Sequence, residues 1–321
     1  MTTLANPHAT AEQVEAAWTD TKLAQVLYHD WEAQTYDEKW SISFDERCVD
    51  YARDRFVAVA GESVPRSDDA WPYGKSLEIG AGTGFFTLNL KLAGVLDEGT
   101  VTDISPGMVA VAKRNAEGLG FSIDGQAADA EELPYDDNTF DLIIGHAVIH
   151  HVPDVDKAFR EMFRVLKPGG RLVICGEPTR HGDVVARQLS RATWWTATHV
   201  TRLPLLRDRW ARSAEDLDES SRAAALEAVV DLHTFVPKEL AALVARAGGR
   251  QVSTTTEELT ASWWGWPVRT FEAAVPPERL GPRWRVFAYK SWLRLSAFDR
   301  AVHRFVPDSL YYNVSVSATK C

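Results

Sequence analysis

The chain has 321 residues, which is enough for one large α/β domain with additions or for two modest domains with a substantial core. Its net charge of -10 disfavours nucleic acid as a partner, because most affinity for nucleic acid comes from neutralising phosphates. Three widely separated cysteines, an N-terminus without a basic start and apolar run, and the lack of an apolar stretch of membrane-spanning length predict a cytoplasmic protein without disulfides.

The charge is distributed unevenly along the chain. Residues 1–178 carry 15 Lys and Arg against 30 Asp and Glu, whereas residues 179–321 carry 20 against 15. We therefore expect the two parts of the chain to have different tasks.

The first part of the chain is expected to be helical. Residues 10–61 have helical patterns with a break near residues 41–43, and the polar segment 61–74 has the composition of a linker. The aromatic residues between positions 28 and 40 are spaced by about one or two helical turns, as on a helix side that packs against a core.

From residue 75 onward, strand and helix patterns alternate, which is typical of a mostly parallel sheet covered by helices on both faces. Strands are expected near 75–79, 100–104, 121–127, 139–145 and 170–176, with helices at 84–94, 105–118 and 154–166. Such a sheet binds its ligands at the carboxyl ends of the strands.

The first strand ends in the sequence LEIGAGTG, residues 77–84. Gly80, Gly82 and Gly84 permit positive φ and allow a bound group to lie against the main chain. The helix that follows begins with unpaired amides, which favour electronegative groups. A dinucleotide-dependent oxidoreductase also has a glycine-rich turn here, so the loop alone does not identify the cofactor.

A carboxylate follows the second strand, about twenty residues beyond this loop. Asp103 can accept two hydrogen bonds from a ribose diol, which suits either kind of cofactor. The next two segments are ADAEELP at residues 128–134 and NTFDLII at residues 138–144.

In this order and spacing, these segments resemble the class I S-adenosylmethionine-dependent methyltransferases, particularly the branch that methylates small molecules and quinone-like or lipid-like acceptors. The resemblance covers residues 70–178 and includes FDLIIGHAVIHHVPD and LKPGGRLVICGEP. It implies a Rossmann-like seven-stranded α/β sheet whose last strand, expected at 310–318, lies antiparallel beside a strand at 250–258. The glycine spacing, with Phe85 next, disfavours the oxidoreductase.

The resemblance also implies which residues bind S-adenosyl-L-methionine. Glu78 is expected to hold the amino-acid end of the cofactor, Asp103 its ribose, and Asp129 with Ala130 its adenine. The other expected contacts are Gly80, Ala81, Gly82, Gly84, Ile104, Met108, His146 and Tyr36, the last acting with Trp40 as a lid. The alternatives are a helix cap for Asp129 and core packing for Tyr36. Glu131 and Glu132 are expected to be solvated, and no metal is expected.

Methyl transfer requires an aligned acceptor and, for a hydroxyl, removal of a proton. His146, His150 and His151 follow the fourth strand, and imidazole titrates near neutral pH. We therefore take them as candidate catalytic bases, with Glu177 and His181 as further candidates. Bracing of the cofactor loop is the alternative role for His150 and His151. These histidines slightly favour oxygen as the target atom over carbon or nitrogen.

Residues 180–235 have helical patterns, and a further helix is expected from Pro237 to Gly248. Between the last two strands lies an insert that contains Trp263, Trp264, Trp266, Trp284 and Trp292. These tryptophans predict a large apolar pocket wall and hence a hydrophobic acceptor.

Residues 283–305 of the insert form an amphipathic helical pattern with a basic side. The expected apolar side consists of Trp284, Ala288, Ser291, Leu295, Phe298, Val302 and Phe305. The pattern predicts either an ordinary surface helix on the sheet, or an interfacial helix or lid over an amphipathic anionic acceptor.

The predicted organisation is an N-terminal helical cap and linker (1–74), an S-adenosylmethionine-binding core (75–178), and an acceptor-binding part with the last two strands (179–321). We expect an enzyme that methylates a hydrophobic or amphipathic small molecule. The alternatives are a C- or N-methyltransferase for a lipid, quinone or peptide, and a non-catalytic binding module. Residues 283–305 are the candidate for contact with a membrane surface.

Overall fold

The computed structural model describes residues 10–61, 71–218, 220 and 229–321. Most of the linker that was predicted at 61–74 lies outside these residues, as does part of the helical stretch that was predicted at 180–235. The three cysteines are unpaired, and Cys48 and Cys175 are buried.

Four helices precede the sheet. They are α1 (Ala11–Ala17), α2 (Thr21–Glu32), α3 (Tyr36–Trp40) and α4 (Glu46–Ala60). Helices α1, α2 and α4 begin after Thr10, Asp20 and Asp45, whose side chains accept a backbone amide of the first turn. Helix α3 ends at Ser41, which has a φ of 54° in the left-handed region. The predicted break near residues 41–43 therefore exists.

The core is a seven-stranded sheet with the strand order β3-β2-β1-β4-β5-β7-β6. Its strands are β1 (Tyr73–Ile79), β2 (Leu96–Asp103), β3 (Asp124–Ala127), β4 (Phe140–His146), β5 (Leu166–Pro178), β6 (Gly249–Glu257) and β7 (Asn313–Lys320). Strands β1 to β5 are parallel, and β7 is antiparallel to both β5 and β6. The predicted fold class is confirmed.

Further helices follow the first strand. In the core they are α5 (Phe85–Leu92), α6 (Pro106–Gly118) and α7 (Val155–Val165). Beyond the core they are α8 (Arg180–Val200), α9 (Arg207–Trp210), α10 (Pro237–Arg246), α11 (Thr260–Ala274) and α12 (Pro282–Val302). The Trp-rich insert therefore consists largely of two helices, α11 and α12, between β6 and β7.

The sheet separates two hydrophobic clusters. On one face, Ile143 of β4 belongs to a cluster with Phe159 of α7. On the other face, Leu142 belongs to a cluster with Phe56 of α4 and Phe86 of α5. Neighbouring residues of β4 enter different clusters because successive side chains of a strand point to opposite faces. Because α4 contributes Phe56 to the second cluster, the N-terminal helices pack on the sheet at that point. The division of the chain into an N-terminal cap (1–74), a core and an acceptor-binding part stays a prediction.

The packed side of α12 agrees with the prediction in part. Five residues of the expected apolar side are half-buried, namely Trp284, Ala288, Ser291, Leu295 and Val302, but Phe298 and Phe305 are 52% and 71% exposed. The buried residues of α12 are Ser296 and Asp299. The carboxylate of Asp299 accepts hydrogen bonds from the amides of residues 259–261 at 2.9–3.0 Å, which turns that side of α12 toward the start of α11. Among the described residues, no helix is both long and apolar enough to cross a bilayer.

Candidate active site

The carboxyl ends of β1, β2 and β4 meet at a cavity of about 900 Å³. All of the predicted cofactor residues except Gly84 line it, together with His146, His150, His151 and Trp40. The sheet thus brings together, at one edge, residues that are separated by up to about seventy positions in the sequence, as a parallel sheet is expected to do. Helices α2, α3, α4, α8, α11 and α12 contribute further lining residues.

Two glycines of the loop after β1 shape this cavity. Gly80 and Gly82 have φ values of 57° and 53°. A Cβ on Gly80 would lie 2.0 Å from Cγ2 of Val148, whereas the nearest atom to a Cβ on Gly82 would be Cε1 of Tyr36 at 3.8 Å. Gly80 therefore permits close packing, and Gly82 keeps space open beneath the ring of Tyr36.

Gly84 has a structural role. It precedes α5 with a φ of 87°. A Cβ on Gly84 would lie 3.1 Å from Leu88 and 3.2 Å from Ala112, so this glycine allows α5 to pack against α6. It lies outside the cavity lining, and the structure gives no support to the predicted contact with the cofactor.

Two buried carboxylates face the cavity. Asp103 accepts hydrogen bonds from the amides of Gly82 at 2.8 Å and Ser105 at 2.9 Å, and Glu78 accepts one from the amide of Thr87 at 2.8 Å. Burial raises the pKa of Asp103 to about 6 and that of Glu78 to about 8. Carboxylates with such shifts in a cleft are typical of ligand-binding sites, because a ligand can stabilise the ionised form.

Asp129 forms part of an ion-pair group at the cavity wall. Lys22 of α2 lies 2.5 Å from Asp129 and 2.7 Å from Glu131. Glu131 is 5% exposed and also accepts the amide of Asp154 at 3.0 Å. The expectation that Glu131 is solvated was wrong, because it anchors α2 and the start of α7. Glu132 is exposed, as expected.

Two aspartates of the N-terminal helices attach those helices to the core. Asp37 accepts hydrogen bonds from Oγ1 of Thr83 at 2.5 Å and Nδ2 of Asn115 at 3.0 Å. Asp30 accepts the amide of Gly107 at 2.8 Å, at the start of α6. These contacts keep Tyr36 beside the glycine loop. Sequence analysis did not assign these contacts to Asp30 or Asp37, because their partners lie far away in the chain.

His150 and His151 are held by hydrogen bonds at the cavity wall. Nδ1 of His150 lies 2.7 Å from the fully buried carboxylate of Glu177, which also accepts the amides of Val148, Ile149 and His150 at 2.8–3.1 Å. Nδ1 of His151 lies 2.9 Å from the carbonyl oxygen of Val230, and burial lowers the pKa of His151. These hydrogen bonds of His150 and His151 support a role in bracing the cofactor loop more than a role in catalysis.

One group among the described residues has a spacing that could hold a metal ion. Ligand atoms of His150, His151 and Asp231 lie within 4.8 Å of one another. However, Nδ1 of His151 would have to release its proton and its contact with Val230 before it could bind a metal through that atom. His181, the remaining candidate base, is exposed and lies outside the cavity lining.

His146 lies in an aromatic environment next to a tyrosine. Its ring centroid is 5.3 Å from those of Phe85 and Phe86, and its Nε2 is 3.4 Å from the hydroxyl of Tyr51. Burial, with a contribution from the positive charge of Arg55, lowers the pKa of His146 to about 4. His146 is therefore neutral at physiological pH and is a weak base.

Tyr51 connects His146 to a buried charge group. The guanidinium of Arg55 lies 3.6 Å from the ring centroid of Tyr51 and forms ion pairs with Glu257 at 3.0 Å and Glu258 at 3.3 Å. Burial and the neighbouring Glu257 raise the pKa of Glu258, which has a φ of 64°. Tyr51, Arg55 and Glu258 line the cavity. Sequence analysis missed all three, since α4 and the end of β6 carry no recognisable motif.

Aromatic side chains of α11 and α12 form another part of the cavity wall. Trp266, Tyr289 and Trp292 line the cavity, and the rings of Tyr289 and Trp292 stack at 6.4 Å with an angle of 16°. Trp263, Trp264 and Trp284 lie outside the lining. The predicted Trp-rich wall therefore exists, but only two of the five tryptophans of the insert belong to it.

Residues 77–174 match the family model of a methyltransferase domain. Residues 77–174 form a class I methyltransferase domain. The match lies within β1 to β5, which contribute the glycine loop, Asp103 and His146 to the cavity. S-adenosylmethionine is the cofactor of this class. The observed site fits it, because Gly82 leaves open space beside two buried carboxylates that face the cavity.

Known proteins resemble this methyltransferase domain over a limited length. The chain is 43% identical over 103 residues to ubiquinone/menaquinone biosynthesis C-methyltransferase UbiE of Pasteurella multocida, covering 31% of this chain and 38% of the relative. It is 39% identical over 112 residues to demethylmenaquinone methyltransferase of Streptomyces avermitilis, covering 35% and 46%. The chain thus spans less than half the length of these relatives.

A solved structure shows the same fold over most of the chain. A SAM-dependent methyltransferase of Thermotoga maritima aligns with 92% of this chain and 100% of its own, with a TM-score of 0.51 and 15% sequence identity. At this identity the likeness concerns the fold alone.

Proposed function

We propose that the whole protein is an S-adenosylmethionine-dependent methyltransferase that acts on a hydrophobic or amphipathic small molecule. The observation that carries this proposal is the continuity of the cavity, which runs from the glycine loop and Asp103 to Trp266 and Trp292. Its volume of about 900 Å³ is at the upper end of ligand pockets and gives room for a cofactor and an acceptor together.

The cofactor would be held by the residues around the glycine loop. Bound S-adenosylmethionine supplies an electrophilic methyl group. The main chain at Gly82 leaves space for it, the carboxylate of Asp103 offers acceptors for hydroxyl groups, and Asp129 lies in the adjoining wall. Tyr36, beside Gly82, is placed to cover this half of the cavity and to exclude water.

His146 and Tyr51 would position the acceptor. Burial raises the pKa of Tyr51, so its hydroxyl stays protonated and can donate to Nε2 of the neutral His146. Because the pKa of His146 is about 4, this histidine suits orientation of an acceptor better than removal of a proton from a weak acid. We therefore propose an acceptor that ionises readily or reacts at an activated carbon.

The atom of the acceptor that receives the methyl group is a separate question within this proposal. The two named relatives are a C-methyltransferase for ubiquinone and menaquinone biosynthesis and a demethylmenaquinone methyltransferase. These names give no support to the preference for oxygen that the three histidines suggested. Quinol-type rings, which carry ionisable hydroxyls beside reactive carbons, are the first acceptors to test.

Transfer of a labelled methyl group tests the proposed function. The purified protein is incubated with S-adenosylmethionine that carries a ¹³C-methyl group and with a panel of quinols, amphipathic phenols and lipid-like hydroxy compounds. We expect label in at least one hydrophobic product, and its ¹³C shift distinguishes attachment to carbon from attachment to oxygen.

The matched control is Gly82→Arg, which fills the open space at the loop and should abolish transfer. Binding of S-adenosylhomocysteine without transfer to any hydrophobic acceptor would instead favour the non-catalytic binding module. Binding of NAD in place of S-adenosylhomocysteine would favour an oxidoreductase and contradict the proposal.

A further inference from the structure

Helix α12 has an outward side that is both apolar and exposed. Val286, Phe287, Leu293 and Phe298 are 51%, 50%, 41% and 52% exposed. Four large apolar side chains on one helix are more than the single exposed residues that are normal on a protein surface, and such a patch marks an interaction site.

The helix is also positively charged on its exposed surface, and three of its basic residues, Arg283, Lys290 and Arg294, lie on the outward side. Arg283, Arg285, Lys290, Arg294 and Arg300 are exposed, whereas the one acidic residue of α12, Asp299, is buried and accepts hydrogen bonds from the start of α11. The exposed surface of α12 therefore carries five positive charges and no negative charge of its own, in a chain with a net charge of -10.

The helical period separates these residues into lines. At about 100° per residue, Arg283, Lys290 and Arg294 lie along the middle of the outward side, with Phe287 and Phe298 along one edge. Val286 and Leu293 lie along the other edge, where Tyr289, Trp292 and Ser296 turn toward the cavity. The exposed apolar edge thus continues into the cavity wall, and Leu293 belongs to both.

We propose that α12 docks the protein on the surface of an anionic lipid bilayer, with the cavity mouth next to the lipids. Long basic side chains can reach lipid head groups while the neighbouring apolar side chains enter the boundary of the acyl chains. The positive charge complements an anionic surface, and the mixture of basic and apolar residues fits a bilayer. Delivery of an amphipathic acceptor from the bilayer into the cavity rests on the proposed function, whereas docking itself does not.

Co-sedimentation with vesicles tests docking of the full chain. We expect binding to vesicles of phosphatidylcholine with about one third phosphatidylglycerol, weaker binding at high salt, and little binding to pure phosphatidylcholine. Each basic residue near an anionic surface contributes about fivefold in affinity, so Lys290→Gln with Arg294→Gln should weaken binding about thirtyfold. Phe287→Ser with Leu293→Ser should also weaken it.

The matched control is Lys238→Gln with Arg246→Gln, which removes two exposed charges from α10. It should leave vesicle binding within about twofold of the original protein. Equal loss in this control would show nonspecific charge attraction and overturn the proposal. Unchanged vesicle binding in the Lys290 and Arg294 variant would also overturn the proposal. Light scattering gives a further test, because a dimer in the original protein that is lost in the Phe287 and Leu293 variant would show that this surface binds a second copy of the chain instead of lipid.

One further variant separates docking from the proposed function. Gly82→Arg should lose cofactor binding but keep vesicle binding, because residue 82 lies at the glycine loop and not on α12. Vesicle binding without methyl transfer would contradict only the proposed function. Methyl transfer in a protein that does not bind anionic vesicles would contradict only the docking proposal.

Discussion

At the scale of single residues, the carboxylate of Asp103 is the most informative group in the site. It is 7% exposed, is held by two backbone amides, and has its pKa raised to about 6 by burial. Such a carboxylate is protonated below about pH 6 and ionised at pH 7, and it accepts hydroxyl hydrogen bonds best when ionised.

We therefore expect the affinity for S-adenosylhomocysteine to depend on pH. A carboxyl with a raised pKa is protonated below that pKa, so binding that requires its ionised form should weaken about tenfold between pH 7 and pH 5. Calorimetry over this range measures the change. Asp103→Asn should bind more weakly at pH 7 and should lose this part of the pH dependence, and an unaltered pH profile in that variant would assign the dependence to another group.

The hydroxyl of Tyr51 gives a second prediction at this scale. Tyr51→Phe removes the hydrogen bond to His146 and should lower the rate constant of methyl transfer about ten- to hundredfold. Because we assign Tyr51 to the acceptor half of the cavity, where its hydroxyl contacts His146, affinity for S-adenosylhomocysteine should not change. Tyr289→Phe, which keeps the aromatic ring at the cavity wall, is the matched control, and an equal loss in both variants would contradict a specific role of Tyr51.

The site residues at the ends of strands can be predicted from the sequence. The site residues that other elements contribute to the cavity cannot. Glu78 and Asp103 directly follow or end strands, so the parallel sheet brings them to one edge. Tyr51, Arg55 and Glu258 reach the same cavity from α4 and the end of β6. Their positions depend on how those elements pack, and the local sequence does not predict that packing.

At the scale of elements, the contact between α3 and the glycine loop gives a prediction about the lid. Asp37→Ala removes the acceptor for Thr83 and Asn115 and should weaken binding of S-adenosylhomocysteine, because Tyr36 is then less firmly held beside Gly82. A loss of about 1.5–3 kcal/mol in binding or folding free energy is typical for hydrogen bonds to a charged group. Glu38→Ala, an exposed neighbour in α3, should have no effect on calorimetric affinity.

The loop after β1 lies close to the turn after β4, and this close packing gives a second prediction. Gly80→Ala would place a Cβ 2.0 Å from Val148 at a positive φ, so it should lower the free energy of unfolding by more than about 2 kcal/mol. Gly118→Ala, where a Cβ meets nothing within 4 Å at the end of α6, is the control and should be neutral or stabilising by up to about 1 kcal/mol. Urea denaturation measures both values, and equal stability of the two variants would contradict this account of Gly80.

Element positions were predictable where the hydrophobic pattern was regular. The order of strands and helices in the core agrees with the prediction because apolar runs and turn residues alternate there. Strand β2 begins at Leu96, earlier than expected, because Glu98 and Gly99 also pair with β1, although their residue types are not typical of a strand. For residues 283–305, the expected apolar side was wrong for Phe298 and Phe305, because the orientation of α12 depends on Asp299 and α11, which the helical period does not reveal.

At the scale of the whole molecule, the uneven charge of the chain has a structural counterpart. The acidic first part contains the carboxylates of the cofactor half of the cavity, and the basic second part contains α12 at the other wall. The sheet joins both parts, since β6 and β7 complete it after the methyltransferase domain. The two halves of the cavity therefore come from regions of the chain with different composition.

We propose that one cavity holds both the cofactor and a hydrophobic acceptor. The most direct measurement is a crystal structure of the complex with S-adenosylhomocysteine. We expect the ligand to contact Gly82 and Asp103 and to leave a space bordered by His146, Tyr51 and Trp292. A ligand that fills the space beside Trp292, or one that binds away from Asp103, would contradict the account.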